Sequence, residues 1–274
     1  MKSIRLPDNR EVHSLGQGTW YMGVDTNKRK LEADALRYGL DLGMTLIDTA
    51  EMYNDAELIV AEALKGRRNE AFVVSKVLPN NASKAGTLLA CERSLSRLDI
   101  ECIDLYLLHW SGSYPIEETL EAFDRLMSDG KIAGFGVSNL DTQELRQAWN
   151  VPGGNQIVTD QVLYNLRHRG IEWDLLPWCR EHHIPVMAYS PLNQGRLDSE
   201  VLKRIAQHHN VNQFQIALAW LLEQDGVIVI PKSSNKDHID QNHATLDIQL
   251  SYEELKQINK AFPSPEHAVP LEML

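Results

Sequence analysis

Four side chains able to carry a proton or stabilise a charge stand at or just past the ends of short apolar runs. Asp48 ends LID, Tyr53 follows five residues later, Lys76 ends VVSK, and His109 ends LYLLH. A carboxylate, a phenol, an ammonium and an imidazole are the groups that proton transfer and charge stabilisation call for. Singly, each has a plainer reading. An aspartate after a strand commonly caps a helix, a lone lysine is usually solvated, a lone histidine is usually a hydrogen-bonded structural group, and a tyrosine packs half-buried. Four of them ending consecutive units are harder to explain that way. More polar residues end later runs: Ser138 and Asn139 in GFGVSN, Gln161 within IVTDQVLY, Tyr189 and Ser190 in AYSP, and Lys232 and Ser233 in IPKS. These groups converge only if the runs lie side by side with their ends at one mouth.

The elements that would bring this about are visible as a repeat. Apolar runs occupy 14–19, 44–49, 71–77, 102–110, 134–139, 157–164, 185–191 and 227–233. They are near-continuous rather than alternating, as strands buried on both faces should be. Between them lie helical stripes: Leu31, Ala35, Tyr38 and Leu42; Leu88, Cys91, Leu95 and Leu98; Phe214, Ala217, Leu218 and Leu221. Ser83 and Asp141 stand as helix starts and Gly130 as a stop. Parallel strands need long crossovers, which helices supply. Eight βα units predict an α/β chain folded as a (β/α)8 TIM barrel, with the active site at the C-terminal ends of the strands. The open doubly wound sheet is the structural rival, but LGQGTW does not match its GxGxxG fingerprint. IRLPDNREVH reads as an N-terminal β-hairpin covering the barrel bottom. No linker or low-complexity tract divides the sequence, so residues 1–274 are expected to form one domain.

Composition narrows the class. Hydrophobic residues make up 43% and charged residues 24%, ordinary for a packed globular chain. The net charge of −11 argues against a nucleic-acid or anionic-membrane surface. Three cysteines without CxxC spacing suggest neither a disulfide framework nor a zinc site and fit a reducing cytoplasm. The opening MKSIRLPDNREV has no apolar h-region, so no signal peptide is expected, and no run approaches the ~20 residues of a membrane span. The His182–His183 and His208–His209 pairs read as solvated helix-end residues rather than metal ligands, because adjacent helical residues do not share a face.

LGQGTW, LIDTAEMY, VVSKV and LYLLHW, followed by GVSN, the strand with Gln161, AYSPL and IPKS, together resemble the aldo-keto reductase superfamily. The likeness runs in order from about residue 4 to about residue 260. EMY, LLHWSG and the GNQ…LLPWC stretch are similar to bacterial members acting on methylglyoxal and other small aldehydes. The resemblance implies a cytoplasmic, more often monomeric enzyme that uses NADPH, or more weakly NADH, to reduce a small carbonyl substrate.

It also implies roles. Asp48, Tyr53, Lys76 and His109 match the family's catalytic positions. Tyr53 would donate the proton, Lys76 would lower its pKa, Asp48 would hold Lys76, and His109 would orient the carbonyl oxygen. Thr19 and Trp20 match positions beside the nicotinamide ribose, and Asp48 is counted among the cofactor contacts as well. Ser138, Asn139 and Gln161 match contacts to the carboxamide, and Tyr189 the ring that stacks on the nicotinamide. Ser190, Leu192 and Gln194 would cross the pyrophosphate. Lys232 and Ser233 match contacts to the 2′-phosphate, and Asn242 one near adenine. His238 stands where many relatives have Arg, and Gln241 where Glu is common. Trp20, Tyr53, His109 and Trp110 would line the substrate pocket, joined by residues after Pro263, with no metal required. The rival functions are a non-catalytic nucleotide sensor on the same fold and an aldolase using Lys76 as a Schiff-base nucleophile.

Overall fold

The eight apolar runs form one parallel sheet in the computed structural model, which describes residues 2–274. After a hairpin of β1 (Ser3–Arg5) and β2 (Glu11–His13), the sheet strands are β3 (Gln17–Gly18), β4 (Leu46–Asp48), β5 (Phe72–Val77) and β6 (Leu105–Leu108). They continue with β7 (Phe135–Ser138), β8 (Asp160–Leu163), β9 (Val186–Tyr189) and β10 (Val227–Val229). Each pairs with the next in chain order. Parallel bridges Leu15↔Val229 and Gly18↔Lys232 join the last strand to the first. The Gly16 and Gly18 N–H groups donate to Val229 O and Pro231 O at 2.8 and 3.0 Å, so the sheet closes on itself. A side chain at Gly18 would meet Ile230 O at 2.9 Å, so the closing strands need glycine there.

The helices are α1 (Arg29–Asp41), α2 (Ala56–Leu64), α3 (Lys84–Leu98), α4 (Ile116–Ser128), α5 (Thr142–Asn150) and α6 (Leu175–Glu181). Then come α7 (Glu200–His208), α8 (Gln213–Leu222), α9 (Lys236–Ala244) and α10 (Tyr252–Ala261). The expected (β/α)8 barrel and its hairpin are therefore present. Local signals act as anticipated: the Ser83 hydroxyl accepts from Gly86 N, Asp141 and Glu144 form a capping box, and Gly130 takes φ +70° just past α4. Among the described residues, no helix is long and apolar enough to cross a membrane.

Two details differ from the sequence expectation. Apolar runs are longer than strands: the run at 227–233 is strand only for Val227–Val229, because Pro231 has no N–H to continue the ladder. On α1 the stripe is rotated. Leu31 is exposed, and the buried face is Ala33, Ala35, Leu36 and Leu40, since α1 packs on both α2 and α9.

The core has two layers. Inside the barrel, Leu46, Val74, Leu105, Leu107, Met187, Ile228 and Ile230 pack together, and Ile4, Leu6 and Val12 of the hairpin segment close that cluster from below. A larger shell fills the space between sheet and helices, including the edge-to-face contact of Tyr106 with Phe123 at 5.7 Å between ring centroids.

Candidate active site

Side chains two residues apart on a strand share a face. Leu46, Val74, Leu107 and Met187 belong to the inner core, so Asp48, Lys76, His109 and Tyr189 point inward one layer higher, at the C-terminal ends of their strands. The apolar barrel interior thus continues upward into a polar floor.

Lys76 organises that floor. It is fully buried, and its Nζ lies 2.8 and 2.9 Å from the two Asp48 carboxylate oxygens. It also donates to Thr49 O at 2.8 Å and to the Tyr53 hydroxyl at 3.3 Å. The same ammonium sits 4.7 Å from the centroid of the Tyr53 ring. Asp48 Oδ1 accepts a further bond from Gln161 Nε2 at 2.8 Å, and Thr19 Oγ1 donates to the Asp48 carbonyl at 2.9 Å. His109 stands edge-on to Tyr53, with ring centroids 5.6 Å apart, and packs on Trp110 at 4.8 Å. The four catalytic candidates are therefore together.

Burial sets the charges. Desolvation lowers the Lys76 pKa, and the Asp48 carboxylate opposes that shift. Burial, reinforced by the Lys76 charge, pushes His109 down to about 2, so its ring stays neutral. Among the described residues its Nδ1 has no partner. Tyr53 departs from expectation. The resemblance implies that the adjacent ammonium lowers the phenol's pKa. Burial instead pushes it well above the usual value, and the Asp48 charge adds to this. Desolvation is the larger cause, and the Asp48 carboxylate paired with Lys76 is the charge that adds to it.

The neighbouring wall is a hydrogen-bonded chain. Asn139 Nδ2 donates to His109 O and Ser138 Oγ, both at 3.1 Å, and Asn139 Oδ1 accepts from Tyr189 OH at 2.9 Å. Ser138 Oγ donates to Gln161 O at 2.8 Å.

Two cavities open on this floor. A pocket of about 170 Å3 is lined by Trp20, Met52, Tyr53, His109, Trp110, Ser138, Asn139, Gln161 and Tyr189, with Met273 and Leu274 closing one side. A groove of about 520 Å3 starts at Thr19, Trp20, Asp48 and Tyr53 and passes Ser190, Leu192 and Gln194. It ends at Lys232, Ser233, His238, Gln241 and Asn242. Every expected cofactor residue thus lines one cavity or the other. An elongated groove that begins at proton-carrying groups and ends at a lysine fits a dinucleotide with an anionic far end. Near that end Ser234 Oγ is buried without a partner among the described residues, leaving a hydroxyl free for a ligand oxygen.

Four residues lining these cavities, Tyr21, Asn139, Ser190 and Gln194, have left-handed backbone, with φ of 66°, 57°, 46° and 55°. Such positions cost free energy and concentrate at ligand clamps. The segment from Ser190 to Gln194 is the one expected to cross a pyrophosphate.

Sequence reasoning missed several lining residues. Tyr21, Met52, Asn212, Phe214, Gln215 and Ile230 carry no polar end-of-run signal. Asn212 and Gln215 were detectable as a capping box opening α8, and Asn212 Nδ2 also holds Gln241 Oε1 at 3.0 Å. Among the described residues, no cluster of His, Cys, Asp or Glu is placed to hold a metal ion.

The sequence matches the Aldo/keto reductase family model over residues 14–262. It is 50% identical to methylglyoxal reductase YeaE of Escherichia coli K12, across 100% of this chain and 99% of that protein. It is 34% identical to the glyoxal reductase of Bacillus subtilis, across 93% and 92% of the two chains. The crystal structure of an aldo/keto reductase from Klebsiella pneumoniae, in complex with NADP and acetate, superposes with a TM-score of 0.97 at 46% identity, covering 100% of this chain and 99% of that one.

Proposed function

The chain belongs to the aldo/keto reductase family and is an NAD(P)H-dependent oxidoreductase, and from that premise we propose that it reduces small aldehydes of the methylglyoxal type with Tyr53 as the proton donor. The observation that carries this reading is the direction of one hydrogen bond. Lys76 Nζ donates to the Tyr53 oxygen, so the phenol's own hydrogen is left to point elsewhere, toward the pocket that Tyr53 lines.

Bound NADPH supplies the hydride. The chain does the rest. As charge grows on the substrate's carbonyl oxygen, Tyr53 transfers its proton there and the alcohol forms. The raised pKa keeps the phenol protonated beforehand, and a nascent alkoxide is far more basic than a phenolate, so the transfer runs downhill. The phenolate left behind faces the Lys76 ammonium, whose position Asp48 fixes. Neutral His109, edge-on beside Tyr53, has one N–H to give and donates it to the same carbonyl oxygen. Lys76 is not suited to be a Schiff-base nucleophile, because it is fully buried and donates to three oxygens.

The substrate class follows from the smaller cavity. About 170 Å3, shared with the groups that would hold the nicotinamide carboxamide, leaves room for a short carbonyl compound between Trp20, Met52, Trp110 and Leu274. Relatives are named for methylglyoxal and glyoxal reduction. Lys232, Ser233 and the α9 end of the groove favour NADPH over NADH through the 2′-phosphate. Mixing the pure protein with NADPH and methylglyoxal and following the loss of nicotinamide absorbance tests the proposal. Turnover is expected; an inert protein across a panel of short aldehydes would overturn it.

A further inference from the structure

The groove does not end at Lys232. A second, shallower groove between the β3–α1 loop and the start of α9 meets it there, and Tyr21, Lys232, Ser233 and His238 line both. An anion bound at this junction faces the first groove on one side and the outer groove on the other. His238 supplies less fixed charge at this point than a guanidinium would. A phosphate dianion attracts more than one cation, and the outer groove holds further lysines.

Its other lysines are Lys28, Lys30 and Lys236. Lys30 is committed to Asp34 at 2.8 Å. The Lys236 ammonium lies over the Tyr38 ring, 5.1 Å from its centroid. Among the described residues Lys28 has only a loose contact with Asp25, at 3.8 Å between charged atoms, and its side chain is 64% exposed. Lys28 also senses Lys232. The groove walls partly desolvate the Lys232 ammonium and lower its pKa, Glu32 opposes this, and the Lys28 charge adds to the lowering. The two cations therefore share one electrostatic environment, with Glu32 in the same groove. The buried Ser234 hydroxyl, without a partner among the described residues, belongs to a residue lining the same outer groove.

We propose that Lys28 is a specificity-determining residue for the cofactor: it closes on the outer side of the NADPH 2′-phosphate opposite Lys232 and takes over the charge an arginine at position 238 would supply. This rests on the NADPH-dependent reading given above. NADH carries a hydroxyl at that place, so Lys28 would contribute little to its binding.

The test is equilibrium binding, read by quenching of tryptophan fluorescence, for NADPH and NADH separately. Lys28→Met is expected to raise the NADPH Kd about tenfold and to leave the NADH Kd within about twofold. Lys30→Met, a neighbouring loss of the same charge, should change neither. Equal weakening of both cofactors by Lys28→Met, or no weakening of either, overturns the inference. Lys232→Ala separates the two levels: if it loses NADPH selectively while Lys28→Met does not, the inference fails and the parent reading stands. A wild-type protein that binds neither cofactor sinks both.

Discussion

The Lys76 ammonium donates to the Tyr53 hydroxyl across 3.3 Å, and not the reverse. Since an ammonium has no lone pair to accept with, the phenol hydrogen cannot be spent on its charged neighbour. Tyr53→Phe should therefore cut turnover by roughly 10²–10⁴-fold, while the NADPH Kd stays within about twofold, because the ring, which lines the cofactor groove, is retained. Steady-state kinetics and a binding titration check both halves. Turnover that survives the change sinks the acid assignment.

The charge pattern sets a pH profile. His109 is pushed down to about 2, so it is neutral from pH 5 to pH 9 and carries no titration through the region where a free imidazole ionises. Tyr53 moves up and Lys76 down, so the first of these groups to change state on the alkaline side is Lys76. The rate of carbonyl reduction should be flat across the acid and neutral range and fall at alkaline pH as the ammonium is lost. An inflection near pH 6.5 that disappears in His109→Gln would contradict the neutral-imidazole assignment.

Asp160 is a cost the site does not use. It neighbours Gln161 on β8 but faces the opposite way, fully buried, with neither carboxylate oxygen partnered among the described residues. Burial raises its pKa well above the usual value, and the nearby Leu140 N–H opposes this without reaching hydrogen-bond geometry. The sign follows from linkage. Below the unfolded pKa of about 3.9 both states hold the proton. As pH rises, the unfolded chain releases it and the folded chain does not, so stability falls. Asp160→Asn should come closest to wild type at about pH 3 and below and be more stable by about 1–3 kcal/mol at pH 8. Thermal melts at both pH values measure this; a difference that does not grow with pH would remove the explanation.

Much of the site was legible because of strand geometry. Asp48, Lys76, His109 and Tyr189 each end an apolar run, two residues past a core side chain, and the two-residue repeat carries them inward together. Tyr53 was legible from its motif, but its raised pKa was not, because that depends on how fully the fold desolvates the phenol and how near it brings Asp48. Leu31 was misjudged because a helical stripe does not say which flank meets a neighbouring helix. Met273 and Leu274 line the smaller pocket, as the resemblance implies for residues after Pro263, but no local pattern singles out those two within the tail.

Glu57 left no trace in the sequence reading either, and its consequences can be measured. It lies on α2, shortly after Tyr53, with its side chain 2% exposed. Ser75, next to Lys76, donates to its Oε1 at 2.7 Å, and Arg97 of α3 donates to its Oε2 at 2.5 Å. The carboxylate thus ties α2, β5 and α3 into one unit behind the catalytic floor. Glu57→Ala strands both donors and should cost about 2–4 kcal/mol, discounted because Arg97 still reaches solvent. Chemical denaturation measures that loss. In the Glu57→Ala background, Arg97→Ala should cost far less than it does in wild type, since the two act as one unit. Strictly additive losses would show that the contact carries no coupling energy and that α2 is held by its apolar face alone.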